Sequence, residues 1–201
     1  MNIETKEVLG QPSYQMSNDS VDLSITVQGG HMAPVLFYKD SDSIQPYYIS
    51  EWSKKGYQHE VKVLETLRGD FFCCPFGGDN NWNGENHQPH GEPAYKSWEE
   101  KEYSKTKRLT KLVLNMETQV RPGEIDKTIC LHNGQNIVYS QNLITGFEGK
   151  ASLGHHAILP GTDDLCYIDM SPIQFGITDP DATEKFVNEE YYSIQPGQRF
   201  N

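Results

Sequence analysis

The residues able to do chemistry concentrate between Leu67 and Trp98, in LRGDFFCCPFGGDNNWNGENHQPHGEPAYKSW. An arginine leads into an aromatic and cysteine run, a glycine-rich segment follows, and His90-Gly91 comes shortly before Trp98. Such a mixture builds the rim of a pocket better than it builds a regular core. A second group, Gly154-His155-His156-Ala157, lies later in the chain. Histidine is the side chain whose ordinary titration falls nearest neutrality, so both groups are candidates for moving protons. A different chemistry is open to the same residues. His87-x-x-His90-x-Glu92, with His155 or His156 from a distant strand, has the ligand types of a cupin-like Fe, Mn or Zn centre. Its spacing is wrong for the H-x-H pair of a cupin strand, and the expectation is no bound metal and no cofactor. Cys73 and Cys74 follow Arg68 closely enough to suggest an activated thiol, although packing is the simpler reading. The acidic turns Gly78-Asp79-Asn80-Asn81 and Gly161-Thr162-Asp163-Asp164 could meet a cation but read as solvated surface. The chain contains no phosphate-cradling glycine loop and no nucleophile elbow.

Charge narrows the partners. Lys and Arg total 17 against 28 Asp and Glu, a formal charge of -11. Nucleic-acid binding needs a basic surface that releases counterions, so no nucleic-acid partner is expected. Met1 to Gly10 carries Glu4, Lys6 and Glu7 without the apolar core of a signal peptide, and no later run approaches a membrane span. Of the four cysteines, Cys73 and Cys74 are adjacent and no C-x-x-C pair exists, which is a poor disulfide framework. They read as reduced thiols of a cytoplasmic protein with no membrane partner.

The elements that must position these residues are strands. Val21, Leu23, Ile25 and Val27 alternate at strand period up to Gly29-Gly30. Val35 to Tyr38, Tyr47 to Ile49, Val61 to Leu64 and Leu109 to Met116 are further strand candidates, rich in β-branched and aromatic residues. Lys127 to Leu131 and Ile137 to Ile144 flank an Asn133-Gly134 turn, the strongest hairpin signal in the chain. Ala151 to Leu159, Leu165 to Met170 and Pro172 to Ile177 continue the series. Glu99 to Lys107 and Ala182 to Tyr192 could form short helices, but neither has an apolar stripe. Many short strands with Gly and Pro turns predict an all-β, antiparallel β-sandwich or barrel, one domain over residues 1–201. The 67–98 stretch is expected to form a long excursion over one sheet.

With the elements in place, a family pattern emerges. Leu67-Arg68-Gly69, Phe72-Cys73-Cys74-Pro75-Phe76-Gly77, His90-Gly91 and Trp98 resemble, in order, a segment of the aldose 1-epimerase (galactose mutarotase-like) superfamily. In one branch, the hexose-phosphate epimerase-like one, it reads R-G-G-I-P-x-C-F-P-x-F-G, then H-G-F-A-R and a tryptophan. Gly154-His155-His156-Ala157 then stands where that family has a histidine-bearing strand, so the resemblance spans roughly residues 20–170. It implies the mutarotase supersandwich, with a sugar cleft on a concave face. There a histidine protonates the ring oxygen of an aldohexose while a carboxylate takes the anomeric proton. The ring opens and recloses on the other face. By motif position His90 would orient substrate, and His155 or His156 would be the general acid. Neighbouring residues of a strand face opposite ways, so only one of the two can enter the cleft, and His156 is favoured. Arg68 would hold sugar hydroxyls through its planar fork, and Trp82 and Trp98 would stack on the ring.

The chain departs from the pattern in three places. His90-Gly91-Glu92-Pro93-Ala94 lacks the arginine of H-G-F-A-R, and Gly69-Asp70 stands for a Gly-Gly pair. The family's catalytic glutamate has no counterpart; Glu189 and Glu190 are the nearest late carboxylates. The chain is therefore expected to be a fragment or a shortened relative. A sandwich that binds carbohydrate without turnover is the alternative to the epimerase.

Overall fold

The computed structural model describes residues 3–78, 80–161, 171–172, 174–177 and 199–200, with the side chains of 80–82 and 200 excepted. They fall into two compact units, Met1–Gly161 and Thr162–Asn201. In the first, a six-stranded antiparallel sheet contains β1 (Thr5–Val8), β2 (Gln11–Ser17), β3 (Val21–Thr26), β4 (Met32–Phe37), β5 (Asp70–Cys73) and, at its far edge, β12 (Gly154–Ala157). Between β5 and β12 in sequence come a small hairpin, β6 (Asn80–Trp82) and β7 (Glu85–His87), and a four-stranded antiparallel sheet. That sheet holds β8 (Glu99–Lys105), β9 (Leu109–Thr118), β10 (Gly123–His132) and β11 (Tyr139–Thr145) in the order β11-β10-β9-β8. The described residues of the second unit contain one antiparallel pair, β13 (Gly176–Ile177) with β14 (Arg199–Phe200).

The two large sheets form a sandwich because each is apolar on one face. Alternate residues of β3 and β10, among them Val21, Leu23, Ile25, Ile125, Ile129 and Leu131, are buried in a single core with Phe72, Leu112, Leu114 and Trp98. Each such side chain contributes roughly 1.5–3 kcal/mol of apolar burial. The opposite, outer face of β5 belongs to a second core, in which Phe71 and Cys73 are covered by Val63 and Ala94. The six-stranded sheet is thus buried on both faces at β5. Its outer face is covered there by segments 44–67 and 86–98, which touch where Lys62 N donates to Gln88 Oε1 at 3.1 Å.

Several expectations need correction. Glu99 to Lys107 is strand β8, not helix, because it pairs with β9 and only every second residue needs to face the sandwich. Val61 to Leu64 falls mostly in a 3-10 helix, Lys62–Thr66, whose Val63 plugs the outer core. Tyr47 to Ile49 makes only an isolated bridge, Ile49 to Arg68. The 67–98 stretch is an excursion only in part, since near its start lies β5, a strand of the sheet whose residues Phe71, Phe72 and Cys73 are buried. The Asn133-Gly134 turn does join β10 to β11, but through a longer connection, with Cys130 opposite Tyr139. Leu165 to Met170 and Ala182 to Tyr192 lie outside the described residues, as do Cys166, Glu189 and Glu190.

Candidate functional site

Adjacent histidines on β12 open the site. The register sets His156 opposite Phe71 and His155 opposite Phe72, so the period of the strand sends the two imidazoles to opposite faces of the six-stranded sheet. His156 lies on the outer face, stacked on Phe71 with ring centroids 5.0 Å apart and planes at 8°. On the other side of Phe71, His31 stacks at 4.1 Å. His31, just before β4, Phe71 on β5 and His156 on β12 thus form a ladder of rings.

His90 reaches this ladder from the loop after β7. Its ring meets His156 edge to face, centroids 4.9 Å apart at 81°, and Phe71 at 5.8 Å. Two backbone bonds hold it there: His90 N donates to Gly77 O at 2.8 Å and Cys74 N donates to His90 O at 3.2 Å. The close approach explains Gly91, where a Cβ would lie 2.1 Å from Cys74 O and φ is +73°. His90 itself sits at φ 67°, a left-handed conformation uncommon for a residue with a side chain. Phe76, 38% exposed, completes the group at 5.5 Å from His90 and 6.2 Å from His156. Its ring lies where a Cβ on Gly154 would come within 2.6 Å, so β12 begins with the one residue that leaves it room.

The electrostatics follow from this apolar setting. Burial, with His156 as a second cause, holds His90 below the ordinary histidine range. Its Nδ1 is buried and has no hydrogen-bond partner among the described residues. His31 is pushed down to about 3, chiefly by burial. Its neutral tautomer is fixed: Nε2–H donates to Ala94 O at 2.8 Å and Nδ1 accepts from Arg68 N at 3.3 Å.

His155 has a different environment on the inner face. Its Nδ1 bonds Asp70 Oδ2 at 2.8 Å and its Nε2 lies 3.2 Å from Asn142 Nδ2 on β11. Lys127, opposite Asn142 in register, is buried with Nζ 2.8 Å from Gly30 O and 4.9 Å from the centre of the Trp98 ring. Its ammonium is pushed down to about 8 by burial. Every ring nitrogen of His155 is occupied, so this cluster fastens the sheets at their edge.

The other expected site residues are placed differently from their sugar-binding reading. Arg68 is fully buried, its guanidinium donating to Val8 O (3.1 Å), Leu9 O (3.0 Å) and Ser53 O (3.3 Å) and Oγ (3.1 Å). With no surface left for a ligand, it is a clamp between chain segments. Trp98 is fully buried in the sandwich core, its Nε1 donating to Pro93 O at 3.0 Å, and has no face free for a sugar. Trp82 lies on β6, and its side chain is outside the described residues. The cupin-like set is not assembled. Glu92 accepts from Gln119 N and Val120 N and pairs with Lys96, while His87 pairs with a Glu85 that Arg121 also grips. Burial pushes the Cys73 thiol up to about 12 and the Cys74 thiol up to about 11, so neither is an activated nucleophile. The residues that sequence reasoning missed are His31, Phe71 and Phe76. Their one signal is strand alternation, which sets Phe71 on the face away from Phe72.

No family model and no curated protein matches the chain. Among solved structures, it is similar to a candidate mutarotase from Salmonella typhimurium, 12% identical over 64% of this chain and 42% of that one, with a TM-score of 0.48. It is also similar to a candidate aldose 1-epimerase from Escherichia coli K12, 15% identical over 84% of this chain and 53% of the other, with a TM-score of 0.46. The chain therefore spans about half the length of these structures.

Proposed function

We propose that the protein binds an aldose on the outer face, beside His90 and His156, and interconverts its anomers, with His156 as the acid that protonates the ring oxygen. The observation that carries this reading is the meeting of His90 and His156, from a loop and an edge strand, 4.9 Å apart beside a partly exposed Phe76. A pyranose presents an apolar C–H face and a rim of hydroxyls. Phe76 matches the first and the imidazole rings of His90 and His156 the second. The order of motifs from Arg68 to His156, similar to that of aldose epimerases, supports the same reading. The free thiols of Cys73, Cys74 and Cys130 accord with a reducing, cytoplasmic setting.

One observation favours binding without turnover. Among the described residues, no Asp or Glu is hydrogen-bonded to either ring, and burial is the largest influence on His90. Titration with a free hexose, followed by NMR, separates these readings. Binding is expected near millimolar, about 4 kcal/mol, because sugar hydroxyls already bond well to water. Exchange between anomers in the same spectra identifies the enzyme. Binding alone identifies the lectin-like alternative, and neither response rejects both.

A further inference from the structure

We infer that Arg121, in the turn between β9 and β10, is a positioning residue that holds His90 and His156 in contact by gripping the two arms of the chain that carry them. Its consequence for activity rests on the reading of the outer face as an aldose site; the contact that it sets does not. The two histidines arrive by different routes. His90 lies at the end of a loop that leaves the sheet after β5 and returns through the β6–β7 hairpin. His156 lies on β12, a strand of 4 residues at the edge of the sheet, entered from the segment that follows β11. Keeping their rings 4.9 Å apart requires the two routes to be tied to each other.

Both are tied to one turn of the other sheet. The Arg121 guanidinium gives two of its nitrogens to Glu85 on β7, Nε donating to Oε1 at 2.8 Å and Nη2 to Oε2 at 2.6 Å. This is the paired, charge-assisted geometry, stronger than a neutral hydrogen bond. The third nitrogen, Nη1, donates to Lys150 O at 2.8 Å, shortly before Gly154 opens β12. The arm to β12 also passes close to the turn at Phe147, whose ring centre is 4.9 Å from Arg121 Cζ. Gly123 permits that approach, since a Cβ there would meet Thr145 O at 2.9 Å and Phe147 Cβ at 3.3 Å. Just past His90 the backbone of the turn takes over, with Gln119 N and Val120 N donating to Glu92 Oε2 at 2.8 and 3.1 Å. His90 is thus bracketed by two glutamates held at one turn, and the side chain that holds the first of them also holds the arm to His156.

A second link between the arms does not replace this one. Phe76 N donates to Ser152 O and Ser152 Oγ donates to Phe76 O, both at 2.8 Å. That link fixes where the loop leaves the sheet, whereas Glu85 lies on β7, the leg that returns to deliver His90. The Arg121 and Glu85 side chains are only 11% and 22% exposed, so the pair is sheltered from the screening that weakens surface ion pairs. Hydrogen bonds, from Arg121 first and His87 second, hold the Glu85 carboxyl down to about 2, and the grip persists through the neutral range.

The test uses the full chain with isotope-labelled histidine. NMR cross-relaxation between the ring protons of His90 and His156 reads their contact with no sugar present, and anomer exchange of D-glucose reads its consequence. In Arg121→Ala the cross-peak is expected to be lost and kcat to fall by about 10- to 100-fold with KM changed by less than about threefold, the effect of misplacement by about 1 Å. Millimolar guanidinium, far below denaturing concentration, should fill the gap between Glu85 and Lys150 O and restore both signals, where sodium chloride of equal ionic strength should not. Arg121→Lys keeps the charge without the fork and should fall between parent and Arg121→Ala. Melting curves check that both variants fold; if Arg121→Ala does not, the weakened cross-peak of Arg121→Lys carries the test. A residue that merely stabilises the fold would lower the melting temperature and leave the cross-peak of the folded protein unchanged, so a folded variant with the cross-peak at parental strength overturns the inference. Loss of the cross-peak in Arg121→Ala, from a parent that neither binds glucose nor accelerates exchange, sustains the inference and overturns the aldose reading instead.

Discussion

The two faces of the six-stranded sheet treat the same side chain in opposite ways. On the inner face His155 has both nitrogens engaged, by Asp70 and by Asn142, although its side chain is 42% exposed. On the outer face His156 is half-buried among rings, and its neighbour His90 has a buried nitrogen with no partner among the described residues. The difference teaches where chemistry is stored in this fold. A histidine whose hydrogen bonds are complete holds structure together, whereas one set against apolar rings keeps unused capacity for a ligand. Each face also buries a base whose charged form burial penalises, His31 outside and Lys127 inside.

The comparison can be sharpened at these two bases and broken at the rings between them. The largest effect is expected at His31. Its folded value of about 3 lies below the ordinary 6.5. Between these values the unfolded chain binds a proton that the folded chain refuses, so stability is full above pH 6.5 and is lost as pH falls towards 3. At about 1.4 kcal/mol per pKa unit the total is roughly 5 kcal/mol. Urea unfolding across that range should show the slope, and His31→Asn should flatten it. Next comes Phe71→Ala, which removes the ring between His31 and His156 and should cost about 3–5 kcal/mol in urea titration.

Lys127 gives the corresponding signal on the inner face, on the alkaline side. With a folded value of about 8 against 10.5, the charged form is penalised in the fold. The sign is the same: stability is full above pH 10.5 and falls as pH drops to 8, by roughly 3 kcal/mol. Lys127→Met should remove this dependence. The smallest effect is expected for Asp70→Asn, which weakens a partly exposed pair worth at most about 1 kcal/mol. It should lower the melting temperature slightly and leave anomer exchange intact.

Much of this organisation was legible as period. The alternation in Val21–Val27 and Leu109–Met116 and the Asn133-Gly134 turn give β3, β9 and the β10–β11 connection, because a strand with one buried face writes its pattern directly. Strand β8 was not legible, since its charged residues flank an edge and little of it needs burial. The assignment of His155 and His156 to opposite faces follows from the same period. What no local pattern carries is convergence. His90 reaches His156 only because Cys74 and Gly77 grip its backbone, and Arg68 is consumed by carbonyls at Val8 and Leu9, about sixty positions away. Arginine and tryptophan read alike whether they face a ligand or close a core, and only the fold reveals that Arg68 and Trp98 do the latter.

The central claim is that chemistry belongs to the outer face, and it is tested most directly by exchanging adjacent residues one at a time. Anomer exchange of D-glucose should be measured by NMR for the parent, His156→Gln and His155→Gln under identical conditions. The account predicts that His156→Gln loses exchange by about 100-fold or more while still binding sugar, and that His155→Gln exchanges at the parent rate. Loss of exchange in His155→Gln with His156→Gln unaffected would contradict it.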